Sequence, residues 1–212
     1  MDVDRKWHLI AEQRRALADL LAGLPVPELD RPSPCTRWRV RDVAAHVALA
    51  PASPGLLRIL GAAVRARGDF DEVNRAMAVA HADALGAGLA DRLRAVADAR
   101  HKPAITTLDN LLFDTLVHVQ DVATALGREV AMPLDGAREG AERVWRMGWP
   151  FWARRRLRGL ELSATDTTWV RGDGALVRGP IRDLLLLLTG RTEVALPHLE
   201  GAGTAHLRAS AT

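Results

Sequence analysis

The chain has 212 residues, 48% hydrophobic and 26% charged, which suffices for one large core, or for one domain with a small appendage. Its 29 Lys and Arg face 26 Asp and Glu, so the formal charge is only +3. Basic residues cluster locally, but that balance is weak support for nucleic-acid binding, which usually needs a concentrated stripe of uncompensated charge.

Residues 4–23 place Trp7, Ile10, Leu17, Leu20 and Leu21 at helical spacing and stop at Gly23, which predicts a first helix. The following LPVPELDRPSPCTRW carries Pro25, Pro27, Pro32 and Pro34 and reads as an extended crossing segment. A second helix is predicted from about Trp38 to the residue before Pro51, with Asp42 in its first turn, where a negative charge meets the helix dipole favourably. Residues 55–68, 71–87 and 89–100 read as further helical stretches without a motif. Pro103 suits a helix start, and a long helix continues to about Leu126 and Gly127. Residues 135–158 are helical again, interrupted at Pro150. From Leu160 the period changes: LELSAT, TTWV and ALVRG read as short strands, the last two forming a hairpin around a Gly-Asp-Gly turn. Gly179 and Pro180 open a last helix, IRDLLLLLTG. The chain therefore divides into a helical bundle, 1–158, and a small α+β extension, 159–212.

Single Cys35 precludes an internal disulfide and fits a reducing compartment. The N-terminus MDVDRKWHLI lacks a signal-peptide apolar core, and the run Leu184 to Leu188 is far shorter than the roughly 20 residues that cross a bilayer. A cytoplasmic protein with no membrane or nucleic-acid partner is expected.

The segment DTLVHVQDV carries the chemistry. Asp114, His118 and Asp121 fall on one narrow line of an otherwise apolar helix, with Asn110 and Thr107 extending it toward the N-terminus. A water-facing stripe is one reading. Against it, the stripe holds no Lys, Arg or Glu and is flanked by Leu111, Val117 and Val122. Asp and His at i and i+4 are spaced as two ligands of a divalent metal, and a reactive zinc site typically takes three. His46, in the apolar helix VAAHVALA, is the best third candidate, although an isolated His there also reads as a hydrogen-bonded core residue.

CTRWRVRDVAAHVALA resembles the Trp-x-Val-x-Asp-x-x-x-His signature opening the second helix of the mycothiol-dependent maleylpyruvate isomerase family, within the DinB-like superfamily. DTLVHVQDVATALG with Arg128 is similar to that family's Glu/Asp-x-x-x-His-x-x-Asp helix and its Leu-Gly-Arg ending. LRGLELSATDTTWVRGDG and VRGPIRDLLLLLTGR resemble its C-terminal segment. The likeness touches both ends and the middle of the chain and leaves 55–100 unmatched. It implies a mainly α fold, a DinB-like up-down four-helix bundle with a small C-terminal α+β extension. It also implies zinc or another divalent metal on His46, Asp114 and His118, with mycothiol or a similar low-molecular-weight thiol as cosubstrate.

The implied activity is that of a transferase or isomerase acting on a small-molecule electrophile, in a monomer or homodimer. The alternative is a non-catalytic metal-binding or regulatory protein. A metal-bound thiolate would be the nucleophile. Asp121 is the candidate catalytic base or imidazole orienter, and Asp42 has a similar, weaker claim on His46. Two positions depart from the family pattern. Asp114 replaces the commoner Glu and reaches one methylene less far. Arg39 replaces a small Ser or Thr cap, a loss worth about 1 kcal/mol of helix stability. Trp145, Trp149, Phe151 and Trp152 beside Arg154, Arg155, Arg156 and Arg158 read as aromatics packed on the core with wet arginines, or as an anion-binding segment.

Overall fold

In the computed structural model, which describes residues 1–52, 70–103 and 106–210, Asp2 starts the first helix by accepting the N–H of Arg5 at 2.7 Å. This helix, α1 (Val3–Leu21), buries Leu9, Ile10, Leu17, Leu20 and Leu21 along one face and ends before Gly23, whose φ of +72° suits glycine. The proline-rich crossing is not wholly extended. Pro25 caps a single helical turn, Val26–Leu29, and Pro27 sits within its start, where proline is tolerated because the first N–H groups have no helical partner.

Helix α2 (Val40–Leu49) shows how the missing small cap at Arg39 is replaced. The Asp42 carboxylate accepts the Arg39 backbone N–H at 2.9 Å, and the Arg39 guanidinium clasps the same carboxylate at 2.9 and 2.8 Å. Asp42 is thereby committed to the start of its own helix. The expected role beside His46 is not taken up.

The stretch predicted over 55–68 lies outside the described residues. Helix α3 (Phe70–Leu85) closes against α2, and α4 (Leu89–Val96) against α1 and α2. The predicted start at Pro103 gives way to Thr107, whose side chain accepts the Asn110 N–H at 3.1 Å and opens α5 (Leu108–Leu126). Thr107 is thus a cap rather than part of the seam. Gly127, at φ +63°, ends the helix. Helix α6 (Leu134–Arg146) packs on α5 through Gly136 and Gly140, where an added Cβ would lie 3.0 Å from Leu9 and from Phe113 respectively. Of the helical stretch expected over 135–158, only a single further turn, Ala153–Arg156, is helical beyond α6.

The sheet holds β1 (Leu160–Ala164), β2 (Val170–Gly172) and β3 (Ala175–Gly179) in the order β2-β1-β3, with β1 antiparallel to β2 and parallel to β3. The predicted hairpin is therefore absent between β2 and β3. Gly172 and Gly174, at φ +84° and +123°, pass so close to the carbonyls of Leu160 and Gly159 that any Cβ would collide with them. The Gly-Asp-Gly turn carries the chain around the start of β1. Helix α7 (Ile181–Leu188) then packs on α6, and the helical pieces Thr192–Ala195 and α8 (Thr204–Ser210) follow, so α7 is not the last helix.

Buried residues gather into two clusters among the described residues. One joins Leu9, Leu112 and Leu116 to Leu162, Val177 and Leu184 through Leu188; the other joins Leu17, Val43, Leu93, Val119 and Val122. Each fully buried leucine contributes about 1.5–3 kcal/mol of apolar transfer energy. Helix α5 supplies side chains to both clusters, and this fixes its rotation. With its apolar positions spent on core, Asp114, His118 and Asp121 face α2 and the turn after α7. The fold is mostly helical with a small three-stranded sheet, a DinB-like bundle with an α+β extension. Among the described residues, no helix is long and apolar enough to cross a membrane.

The Trp and Arg segment divides. Trp145 and Phe151 pack on the core, whereas Trp149 and Trp152 are exposed. Arg156 turns inward to donate to the Leu187 and Leu188 carbonyls at 2.8 and 2.9 Å, closing the C-terminus of α7.

Candidate metal centre

His46 projects from the last turn of α2, and Asp114 and His118 stand one turn apart on α5. The three meet. His46 Nε2 lies 3.2 Å from Asp114 Oδ2, and His118 Nε2 lies 3.3 Å from Asp114 Oδ1. One ligand atom from each residue falls within 4.8 Å of the other two.

These separations, each to a different oxygen of Asp114, lie at the long end of a hydrogen bond and near the spacing of two ligands on one ion. A carboxylate and a histidine joined only by a charge-assisted hydrogen bond sit about 2.7–2.9 Å apart. Ligands held at ~2.0–2.1 Å from one tetrahedral ion sit about 3.3 Å from each other. The donor set fits a divalent ion, with one ligand atom from each residue within 4.8 Å of the others, and Asp114 reaches both imidazoles despite its shorter side chain. About a third of the Asp114 side chain is solvent-accessible, which leaves an approach to the cluster.

The other nitrogen of His118 is held differently. His118 Nδ1 lies 2.9 Å from Asp121 Oδ2, within the charge-assisted range. Asp121 is 1% exposed, and Arg191 grips it from the far side, with Nε donating to Oδ1 at 3.0 Å and Nη2 to Oδ2 at 2.8 Å. Arg191 Nη1 donates to the Thr189 carbonyl at 2.8 Å, which anchors the guanidinium to the end of α7. Cys35 completes the cluster. Its Sγ donates to Asp121 Oδ2 at 2.9 Å, accepts from Arg191 Nη2 at 2.9 Å and lies 3.7 Å from His118 Nδ1. Cys35, His118 and Asp121 also meet a ligand spacing, but the guanidinium already supplies the positive charge there, and a cation would have to displace it.

Burial opposes the charged form of each of these groups, and the partners outweigh it. The charges and hydrogen bonds of His118 and His46 hold the Asp114 carboxyl well below the usual carboxylate range. His118 and Arg191 do the same for Asp121. His118 is raised well above an ordinary histidine, by Asp114 first and then by Cys35 and Asp121. Trp38 borders the cluster, edge-on to the His46 ring at a centroid distance of 5.5 Å and stacked beside His118 at 6.3 Å.

The structure thus brings together all four site residues expected from the sequence, His46, Asp114, His118 and Asp121. It adds Cys35 and Arg191. Cys35 stands in the same CTRW stretch as Trp38, so its neighbourhood was visible. Arg191 lies 70 residues from Asp121, and only the fold joins them. Gln120 points away from the seam, donating to the Val130 carbonyl at 3.0 Å.

A DinB-like bundle with a His, Asp, His cluster between its second helix and its long central helix defines the class of protein. Residues 10–167 match the mycothiol maleylpyruvate isomerase N-terminal domain, and the chain belongs to that family. Among solved structures it is similar to a crystal structure of the mycothiol-dependent maleylpyruvate isomerase, with TM-score 0.61 and 18% identity, over 96% of this chain and 94% of that one. It is likewise similar to a histidine-to-alanine mutant of a mycothiol-dependent maleylpyruvate isomerase, with TM-score 0.62, 17% identity and the same coverage. At that identity the two structures speak for the fold. No curated protein matches the chain by sequence.

Proposed function

We propose that the chain is a divalent-metal-dependent isomerase or transferase that uses mycothiol or a similar low-molecular-weight thiol on a small electrophile. The carrying observation is the convergence of His46, Asp114 and His118 at separations of 3.2 and 3.3 Å, in a member of the mycothiol maleylpyruvate isomerase family. A zinc or similar ion on those three residues would supply a position at which a thiol is held as thiolate near neutral pH.

The protein's own groups prepare that position. His118 donates its Nδ1 proton to Asp121, which fixes the tautomer and leaves the Nε2 lone pair for a metal. Both Asp121 oxygens are occupied, Oδ1 by Arg191 and Oδ2 by Arg191, Cys35 and His118. Held so and shut away from water, Asp121 acts as the orienter of His118 rather than as a base that exchanges protons with substrate. Trp38 packs beside both imidazoles, edge-on to His46 and parallel to His118.

The test has two parts. Metal analysis of the purified protein should find about one divalent ion per chain, lost in His46→Ala. Isomerisation of maleylpyruvate should then require both the metal and mycothiol. A wild type without stoichiometric metal sinks the proposal, and metal without any thiol-dependent turnover favours a non-catalytic metal-binding protein.

A further inference from the structure

One turn before Asp114, on the same face of α5, Asn110 accepts a hydrogen bond from Arg143 Nε at 2.8 Å. Arg143 rises from α6, is half-buried, and makes no ion pair among the described residues. Its two Nη groups have no protein partner there, so a guanidinium is held in place by its Nε while its charged fork is left open. The orientation of Asn110 follows from the same contact. Because Nε–H can only donate, Oδ1 must face it, and the Nδ2 donors turn elsewhere. The carboxylates nearby are engaged: Asp109 and Glu139 pair with Lys6, and Glu142 pairs with Arg146 and Arg171.

We propose that Arg143, positioned by Asn110, receives the carboxylate of the small electrophile that reacts at the His46, Asp114 and His118 cluster. The reach is right for a small molecule. Asn110 and Asp114 are four residues apart on one face of α5, about 6 Å along the helix axis, so Arg143 Nε, bonded to Asn110, is anchored about one helical turn from the cluster. A planar carboxylate matches the two parallel N–H groups of the fork. The inference rests on the catalytic reading for what happens at the cluster, but Arg143 is no metal ligand, so anion binding is separable from metal binding.

Calorimetric titration of maleate, and of dimethyl maleate, into metal-loaded and metal-free protein tests it. The wild type should prefer maleate, and Arg143→Gln should weaken maleate binding about tenfold or more with metal content unchanged. Arg143→Lys should recover part of the loss, since it keeps the charge and loses the fork. Asn110→Asp, which neutralises the guanidinium in place, should match Arg143→Gln and guards against misfolding of a single variant. Retained maleate affinity in both loss variants overturns the proposal, as does a wild type that does not distinguish the acid from its ester. N-acetylcysteine and its amide, titrated in parallel, should show no such dependence on Arg143; if they do and maleate does not, the assignment to the electrophile is overturned. A wild type that binds maleate through Arg143 yet holds no metal supports the anion site while sinking the catalytic reading.

Discussion

Asp121 Oδ2 lies 2.9 Å from His118 Nδ1 on the side opposite to the ring nitrogen that faces Asp114, so one imidazole joins a buried carboxylate to a candidate ligand cluster. Asp121→Asn keeps the shape and removes the charge that favours the Nδ1–H tautomer. Metal affinity should fall about 10- to 100-fold, measured by competition with a chromophoric chelator. Unchanged affinity would show that the imidazole is held by packing alone.

Arg191 answers Asp121 from the tail of the chain. Arg191→Met would take the guanidinium from a 1% exposed carboxylate and leave His118 as its remaining charged partner, so the cost should approach about 3 kcal/mol, the low end for breaking a buried pair. The denaturant midpoint should drop accordingly. In the double variant Arg191→Met with Asp121→Leu, much of that stability should return, because the stranded charge is gone.

At Asp114, length is the variable. Asp114→Asn should lose most of the bound metal, and Asp114→Glu should keep it, since the 35% exposed side chain has room to move outward by one methylene. Atomic absorption on dialysed samples decides. Loss of metal in Asp114→Glu would mean that the bundle is spaced for the shorter acid.

Acidity should act in opposite senses with and without metal. In the metal-free protein, protonated His118 is stabilised. That contribution is fully present below the ordinary histidine value of about 6.5 and is lost as pH rises through the raised folded value. Asp114 and Asp121 are depressed. Their contribution is present above the ordinary value of about 3.9 and is lost on acidification through the folded values. The metal-free protein should therefore be most stable between about pH 4 and 6.5. Metal requires His118 and His46 without a proton on the ligating nitrogen, so the rise in Tm on adding zinc should grow from about pH 5 to about pH 8. A zinc-induced shift that shrinks over that range would count against this ligand set.

Packing gives a prediction independent of chemistry. A Cβ on Gly140 would stand 3.0 Å from the Phe113 Cβ and 3.2 Å from Leu185. Gly140→Val should cost about 1–3 kcal/mol by pressing α6 away from α5 and α7, read as a lower Tm at equal helix content.

Fold class and the line of the site were legible in the residue pattern. The 3.6-residue period fixed which face of α5 is apolar, and the spacing of Asp114, His118 and Asp121 put them on one stripe whatever the neighbours. Local chemistry also marked the ends of most helices. What it left open was set by contacts between distant parts of the chain. The hairpin expected around Gly-Asp-Gly dissolved because Gly172 and Gly174 let β2 and β3 flank β1, a close approach that no local pattern records. Asp42, by contrast, was spent locally, on the backbone N–H and guanidinium of Arg39 three residues before it. The placement of His46 against Asp114 and the arrival of Arg191 and Cys35 at Asp121 came only with tertiary structure. Periodicity specifies the face of a helix, whereas packing decides which other face it meets.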